Sequence, residues 1–495
     1  MEEEWTPATA ATEPHFLIVT YPAQGHINPA RHLARRLLRA TGARVTVSTA
    51  VSAFRKMFPG ASPEEEEGTG HRDGAGVWHV PYSDGYDGGF DRAVHDHTHY
   101  MSHIKTEGSR TLSGVLARLR DAGRPATRVV YTLLLSWVAD VARAHAVPAA
   151  LYWIQPATVL AAYLHFFRGT DGADRAVAEA ARSGDPWAEV SLPGLPPLRV
   201  RDLPSFITMT SKDDPYAFVV GAFRELVQAL DREDTPTVLA NTFDAMEPEA
   251  VASLRQHGVR VVPVGPMLSF LDADASKTPA PTQNSSSEND LFKQDGKGYL
   301  EWLDAQAEGS VVYISFGSLS VMSERQIQEV ARAMKDSARP FLWVLRKDNR
   351  TSICGGEDVH LGGERGVVVE WCDQVAVLSH PAVGCFVTHC GWNSTLEAVA
   401  CGVPVVAAPQ WTDQGTNAWL VERIGAGVRA DVADKQGVIE AGELRRCVDF
   451  ATSEMVRAKA ALWRDKARAA AAEGGSSEKN LREFVAQPLA AAGTD

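Results

Sequence analysis

An α/β architecture built from two Rossmann-like halves is what this sequence predicts, and three observations carry it. Short runs rich in Val, Ile and Leu alternate with longer segments of helical period. The runs are near-continuously apolar, the pattern of parallel sheets covered on both faces. A chain of 495 residues is too long for one core, and a polar stretch in its middle separates the runs into two sets.

The first set comprises His15–Thr20, Arg44–Ser48, Arg128–Leu134, Ala149–Trp153, Thr237–Asn241 and Val259–Val264. The second comprises Val311–Phe316, Phe341–Leu345, Gly366–Glu370, Gly384–Thr388 and Val403–Ala408. Between them, residues 271–298 are polar, hold two prolines and a serine run, and show no period, which marks a connection. The expected division is 1–264, a linker at 265–298, a second domain at 299–473 and a last helix within 474–495. An Ala-rich helix over Lys459–Ala472 should stop at Gly474-Gly475, with Ser477 capping the final helix. Asn28 and Pro29 suit the cap and first turn of the first helix.

A net charge of −13 supplies no basic surplus for nucleic acid. The six cysteines, Cys354 among them, lie in the C-terminal third without a CxxC pair, which suits a reducing cytoplasm. The acidic start lacks the apolar core of a secretory signal. Val147–Phe167 has the length of a membrane span, but Pro148, Gln155, Pro156 and His165 favour a strand, a break and a helix. His95, His97 and His99 alternate, yet no second ligand cluster accompanies them, so a solvated or ligand-lining stretch is expected and a metal is not.

The chemistry concentrates between Trp371 and Gln414. A strand ending near His389, a turn at Gly391 and a helix opening at Asn393-Ser394-Thr395 would present unpaired N–H groups and a positive dipole end. Indoles at Trp371, Trp392 and Trp411, with Gln374, Glu397, Asp413 and Gln414, suit a nucleotide joined to a sugar. Singly, Asn393 and Ser394 are equally helix caps, and a lone Trp is more often core. The whole segment, gapless, resembles the signature box of the plant secondary-product UDP-glycosyltransferases (family 1). YPAQGHINP at residues 21–29 and FGS at residues 316–318 extend the resemblance over nearly the whole chain. The YTLLLxW and WIQPAT segments are similar to those of the subgroup holding anthocyanin 5-O-glucosyltransferases and enzymes that form glucose esters of auxin- or crocetin-like acids.

The resemblance implies a GT-B fold, two such domains facing across a cleft, and a monomer that needs UDP-glucose and a small acceptor but no metal. It implies that Trp371 stacks on uracil, that Gln374 and Glu397 hold the ribose, and that Ser318, His389, Asn393 and Ser394 meet the diphosphate. Trp392, Asp413 and Gln414 would grip the sugar, Gln414 favouring glucose. The general base would be His26. Here the chain departs from its relatives: the position of the usual aspartate partner, five residues before Trp137, holds Thr132. Asp140 lies beyond Trp137 and does not inherit the role. A His without a carboxylate partner is a weaker base. Deprotonating a phenol of pKa ~10 at pH 7 costs about 4 kcal/mol, whereas a carboxylic acid is already ionised. A carboxylate acceptor giving a 1-O-glucose ester is therefore expected ahead of a phenolic or flavonoid hydroxyl. Gln155 is a further acceptor-side candidate. A non-catalytic UDP-sugar binder is the alternative, and an oxidoreductase lacks its GxGxxG turn.

Overall fold

The computed structural model describes residues 13–91, 93–209, 217–272, 298–318, 320–350, 365–432 and 437–487. Most of the expected connection (273–297) and Cys354 lie outside the described residues. The chain divides into two compact units, residues 1–152 with 481–495, and residues 153–480.

In the first unit, strands β1 (His15–Val19), β2 (Arg44–Ser48), β3 (His71–Arg72), β4 (Trp78–His79), β5 (Arg128–Thr132) and β6 (Ala149–Trp153) lie in the order β6-β5-β1-β2-β4-β3. All neighbours are parallel except the two-residue edge pair β3–β4. β1 and β5 are buried along their whole length, as near-continuous apolar runs require. β1 is the reversal point: the chain moves to β2 on one side and returns to β5 on the other. Ligands of open parallel sheets bind at the carboxyl ends of such strands.

The first helix spans Gln24–Thr41 and buries Ile27, Ala30, Leu33, Ala34 and Leu37 along one stripe. Gly42 closes it in the left-handed conformation, its N–H bonded to the Leu38 carbonyl. This helix corrects one expectation. It starts at Gln24 with Ala23 as cap, so Asn28 and Pro29 lie inside it. A tight turn, Ala23 N–H to Tyr21 O at 2.8 Å, rotates the chain into helix early.

The second unit holds β7 (Glu189–Val190) and β8 (Leu198–Arg199) as a small antiparallel pair, and β9 (Thr237–Ala240) parallel to β10 (Arg260–Pro263). Its main sheet contains β11 (Val311–Ser315), β12 (Phe341–Val344), β13 (Gly366–Val369), β14 (Val383–Thr388), β15 (Val405–Ala407) and β16 (Gly427–Arg429). The order is β13-β12-β11-β14-β15-β16, all parallel, with the reversal at β11 and β14. Alternate residues feed two cores. Val312, Ile314, Trp343 and Val387 face one layer of helices, and Val311, Tyr313, Leu342 and Phe386 face the other. Each such burial is worth roughly 1.5–3 kcal/mol, and Tyr313 stacks on Phe386 with ring centres 4.7 Å apart.

Residues 149–153 and 157–168 form the expected strand and helix around Pro156. No helix among the described residues is long and apolar enough to cross a membrane. The final helix, Ser476–Ala486, starts before Ser477. Ser477 is therefore not its cap; its hydroxyl is spent on the Gly265 carbonyl. Farther along, Phe484 packs on Phe16, and the buried Arg128 guanidinium lies 4.4 Å from the Phe484 ring while donating to the Phe484 carbonyl at 2.7 Å. Replacing Arg128 by Leu should lower stability by about 2 kcal/mol and open residues 476–487 to limited proteolysis. A wild-type urea midpoint and cleavage pattern would show that the helix docks without it.

Candidate active site

His26 lies two residues into the first helix, just beyond the carboxyl end of β1. The neighbouring strand β5 ends at Thr132, fully buried, so the reversal of the first sheet brings the two predicted residues together. Thr132 Oγ1 lies 3.5 Å from His26 Nδ1 and also accepts the Tyr21 N–H at 3.3 Å. The Tyr21 ring rests on the imidazole, centroids 5.2 Å apart. Among the described residues no carboxylate bonds to His26. Asp140 is exposed and paired with Arg143 at 2.8 Å. Burial without a compensating charge holds His26 at about 4, so it is neutral at pH 7 and its conjugate acid is poorly stabilised.

Sequence reasoning missed the residues around this pair. Tyr100 meets the Tyr21 ring edge-on at 6.3 Å and donates its hydroxyl to Asp84 at 3.0 Å. Asp84 is raised by burial, although Tyr86 N–H and the Tyr100 hydroxyl oppose the shift. The alternating histidines belong to the same neighbourhood. His95 Nδ1 accepts the Asp91 N–H, His99 Nδ1 meets the Tyr86 hydroxyl at 2.8 Å, and the His97 ring packs on Phe90. Among the described residues no group of three or more His, Cys, Asp or Glu is placed to hold a metal.

In the second unit the reversal at β11 and β14 sets two loops side by side. Ser318 is exposed on the loop after β11, and His389 follows β14. Gly317, at φ 76°, and Gly391 make this possible: a Cβ at either would lie 2.6 or 2.7 Å from the His389 ring. The helix Trp392–Cys401 then opens with Gly391 as its cap, a residue with no side chain to bond the first turn. Asn393 and Ser394 sit half-buried in that turn, in the setting where an anion is stabilised. Burial alone sets His389 at about 4, so it is neutral at pH 7; an adjacent oxyanion would pull it back up.

Gln374 opens the short helix Gln374–Leu378, which Asp373 caps through Ala376 N–H at 3.0 Å. Its amide nitrogen donates to Ser394 Oγ at 2.9 Å and to Glu397 Oε2 at 2.6 Å, and its oxygen accepts the Tyr313 hydroxyl at 3.2 Å. Three predicted residues thus form one network. Tyr313 is the member that sequence reasoning left in the core. Burial lifts Glu397 to about 7 against the opposing Gln374 bond. Trp371 lies half-buried beyond β13. Trp392 behaves differently: its indole is 4% exposed, packs with Phe243 and Leu396, and donates to the Asn241 carbonyl at 2.8 Å. Its side chain is committed to the core, which leaves its main-chain N–H at the helix start.

Asp413 and Gln414 are buried at the head of the helix Gln414–Arg423. Asn417 Nδ2 joins Asp413 Oδ2 (2.8 Å) to the Cys390 carbonyl (2.7 Å). Gln414 Oε1 accepts the N–H groups of Gln410 and Trp411 at 2.8 and 3.2 Å. Burial raises Asp413 to about 6. Cys390 (φ 62°) and Thr412 (φ 57°) are both left-handed, a strain of about 1–3 kcal/mol for a non-glycine residue. Gln155, half-buried, points its amide nitrogen at Thr412 Oγ1, 3.5 Å away.

Comparison with known proteins agrees with this geometry. Residues 286–441 match the family described as UDP-glucoronosyl and UDP-glucosyl transferase. The chain is 44% identical to the crocetin glucosyltransferase, chloroplastic, of Gardenia jasminoides, over 95% of this chain and 96% of that one. It is 42% identical to the phloretin 4'-O-glucosyltransferase of Malus domestica, over 95% and 97%. The crystal structure of Os79 from O. sativa in complex with UDP superposes with a TM-score of 0.79 at 31% identity, over 95% and 99%. The chain belongs to the plant family-1 UDP-glycosyltransferases, enzymes of two Rossmann-like domains in the GT-B fold. Its activity is UDP-sugar-dependent glycosyl transfer to small plant metabolites.

The raised Glu397 gives a testable pH dependence. Between about 4.5 in the unfolded chain and about 7 in the folded one, only the folded protein holds this proton. Its contribution to stability is complete below about 4.5 and is lost as pH rises through about 7. Urea midpoints should therefore fall more steeply over this window in the wild type than in Glu397→Gln. Parallel curves would show that the carboxyl titrates normally.

Proposed function

We propose that the chain transfers glucose from UDP-glucose to the carboxylate of a small plant metabolite, with inversion, forming a β-linked 1-O-glucose ester. The observation that carries this reading is the neighbour of His26: a buried Thr132 hydroxyl at 3.5 Å where a carboxylate would otherwise orient and charge-balance the imidazole. A base held near 4 by burial does little for a phenol, whose proton is bound far more tightly. An ionised carboxylate brings no proton. Its oxygen attacks the anomeric carbon, the bond to the UDP oxygen breaks on the opposite face, and UDP leaves with the electron pair. With a hydroxyl acceptor, His26 takes the proton as that bond forms.

The donor reading assigns Trp371 to the uracil face and the Gln374–Glu397 pair to the ribose hydroxyls. Ser318, His389, Asn393 and Ser394 would meet the diphosphate. Asp413 and Gln414 would hold the glucose hydroxyls, with Trp392 contributing its main-chain N–H. The phosphate charge is then met by N–H groups, His389 and the helix dipole, and no metal is invoked. On this reading residues 1–264 serve the acceptor, with Gln155 beside the sugar, and residues 299–473 serve the donor. The five described cysteines are free thiols, which fits a reducing cytoplasm. Among the relatives, the name of the phloretin 4'-O-glucosyltransferase keeps hydroxyl acceptors as the second reading.

A mass-spectrometric acceptor screen with UDP-glucose, followed by mild alkali, separates the two: esters hydrolyse and phenolic glucosides persist. Alkali-labile products should dominate, and a screen yielding phenolic glucosides alone would overturn the ester reading. His26→Ala should retain most of its rate on carboxylic acids and lose rate on phenols, by less than the roughly 10²–10⁴-fold that a well-matched general base contributes. Equal losses on both would remove the argument from basicity.

A further inference from the structure

The segment Arg199–Phe206 is fastened along the loop that carries Asp413 and Gln414, and nothing in the sequence of that loop explains its shape. Thr412 is β-branched and left-handed at φ 57°, a conformation that its own side chain disfavours. Two reciprocal bonds hold it there from 207 residues away: Thr412 N–H donates to Ser205 Oγ at 2.7 Å, and Ser205 N–H donates to the Thr412 carbonyl at 2.9 Å. On the far side of the pair, Thr416 Oγ1 donates to the Asp202 carbonyl at 2.7 Å. A Cβ on Gly415 would lie 2.5 Å from the Arg201 carbonyl oxygen, so the two backbones touch and only glycine fits.

The fastening segment is itself anchored. The Asp202 carboxylate, 6% exposed, accepts Arg429 Nη1 at 3.1 Å and the Arg199 N–H at 3.0 Å. Arg201 pairs with Asp431 at 2.9 Å, and the Phe206 ring stands edge-on to Trp411. Asp413 and Gln414 thus sit between two clamps, Ser205 on Thr412 and Asp202 on Thr416. Thr412 directly precedes Asp413, so the constraint on its backbone passes straight to the pair.

We propose that Ser205 and Asp202 are positioning residues that set sugar selection: the clamps fix Asp413 and Gln414 at the angles that accept glucose and reject its 4-epimer. This rests on the assignment of that pair to the sugar. The test uses the full chain and titrates UDP, UDP-glucose and UDP-galactose by calorimetry, so no acceptor is needed. Ser205→Ala strips the Thr412 N–H of its partner. It should weaken UDP-glucose about tenfold and narrow the glucose-over-galactose ratio, with UDP changed by less than about twofold. Ser205→Thr, which keeps the hydroxyl, should restore the ratio, and Asp202→Asn should act in the same direction as Ser205→Ala. Equal loss of UDP and UDP-glucose would mean a merely structural role and overturn the proposal, as would an unchanged ratio. Gln414→Ala separates the two levels. If it abolishes the preference while Ser205→Ala does not, the clamp falls and the sugar assignment stands. If Gln414→Ala keeps the preference, both fall.

Discussion

Each parallel sheet of this protein must reverse direction once, and nearly everything functional follows from where it does. A crossover helix takes the chain from β1 to β2, and the return enters on the other side at β5. The loop after β1 and the end of β5 are therefore adjacent without being covered by a connecting helix. The same holds for β11 and β14 in the second sheet. His26 with Thr132, and Ser318 with His389 and the open helix start at Gly391, occupy these two places. The strands that create them are fully buried apolar runs, so the candidate sites stand on the buried core of each unit.

Burial then tunes the chemistry in a common direction: charged forms are disfavoured and little opposes this. His26 and His389 are pushed down to about 4, and Glu397 and Asp413 are pushed up to about 7 and 6. At pH 7 this leaves His389 neutral, Glu397 about half ionised and Asp413 mostly ionised; on the proposed donor reading the diphosphate would bring the largest charge to the site. On the first sheet the same desolvation acts on His26, which has a hydroxyl rather than a carboxylate beside it; on the proposed reading this limits how strongly it could draw a proton from an acceptor. Asp84 is the buried carboxylate of that neighbourhood, and it is spent on Tyr100 and the Tyr86 N–H rather than on His26.

Much of this was legible in the chain. All eleven expected strands form, because uninterrupted Val/Ile/Leu runs bounded by turn residues have few alternatives. Gln374, Ser394 and Glu397 were expected at one ligand, and they are joined by direct hydrogen bonds. The misreadings were local competitions that sequence patterns do not rank. Asn28 and Pro29 look like a helix start, but the Tyr21–Ala23 turn begins the helix earlier. Ser477 looks like a cap, but a buried carbonyl at Gly265 claims its hydroxyl. The Trp392 indole looks like a ligand platform, but the Asn241 carbonyl and a pocket of Phe243 and Leu396 take it first.

By itself the sequence determined the fold class and the family and named the residues of the proposed donor box, since apolar period, glycine turns and helix starts are properties of neighbouring residues. It also showed Thr132 in the place of a carboxylate. Tertiary structure decided what those residues can do. That Thr132 reaches His26 depends on the register of β1 against β5, that Tyr313 supports Gln374 depends on which face of β11 it occupies, and that Thr412 is held left-handed depends on Ser205. Each is a contact between residues 61 to 207 positions apart, and only the folded packing of sheets and loops fixes distances over such separations.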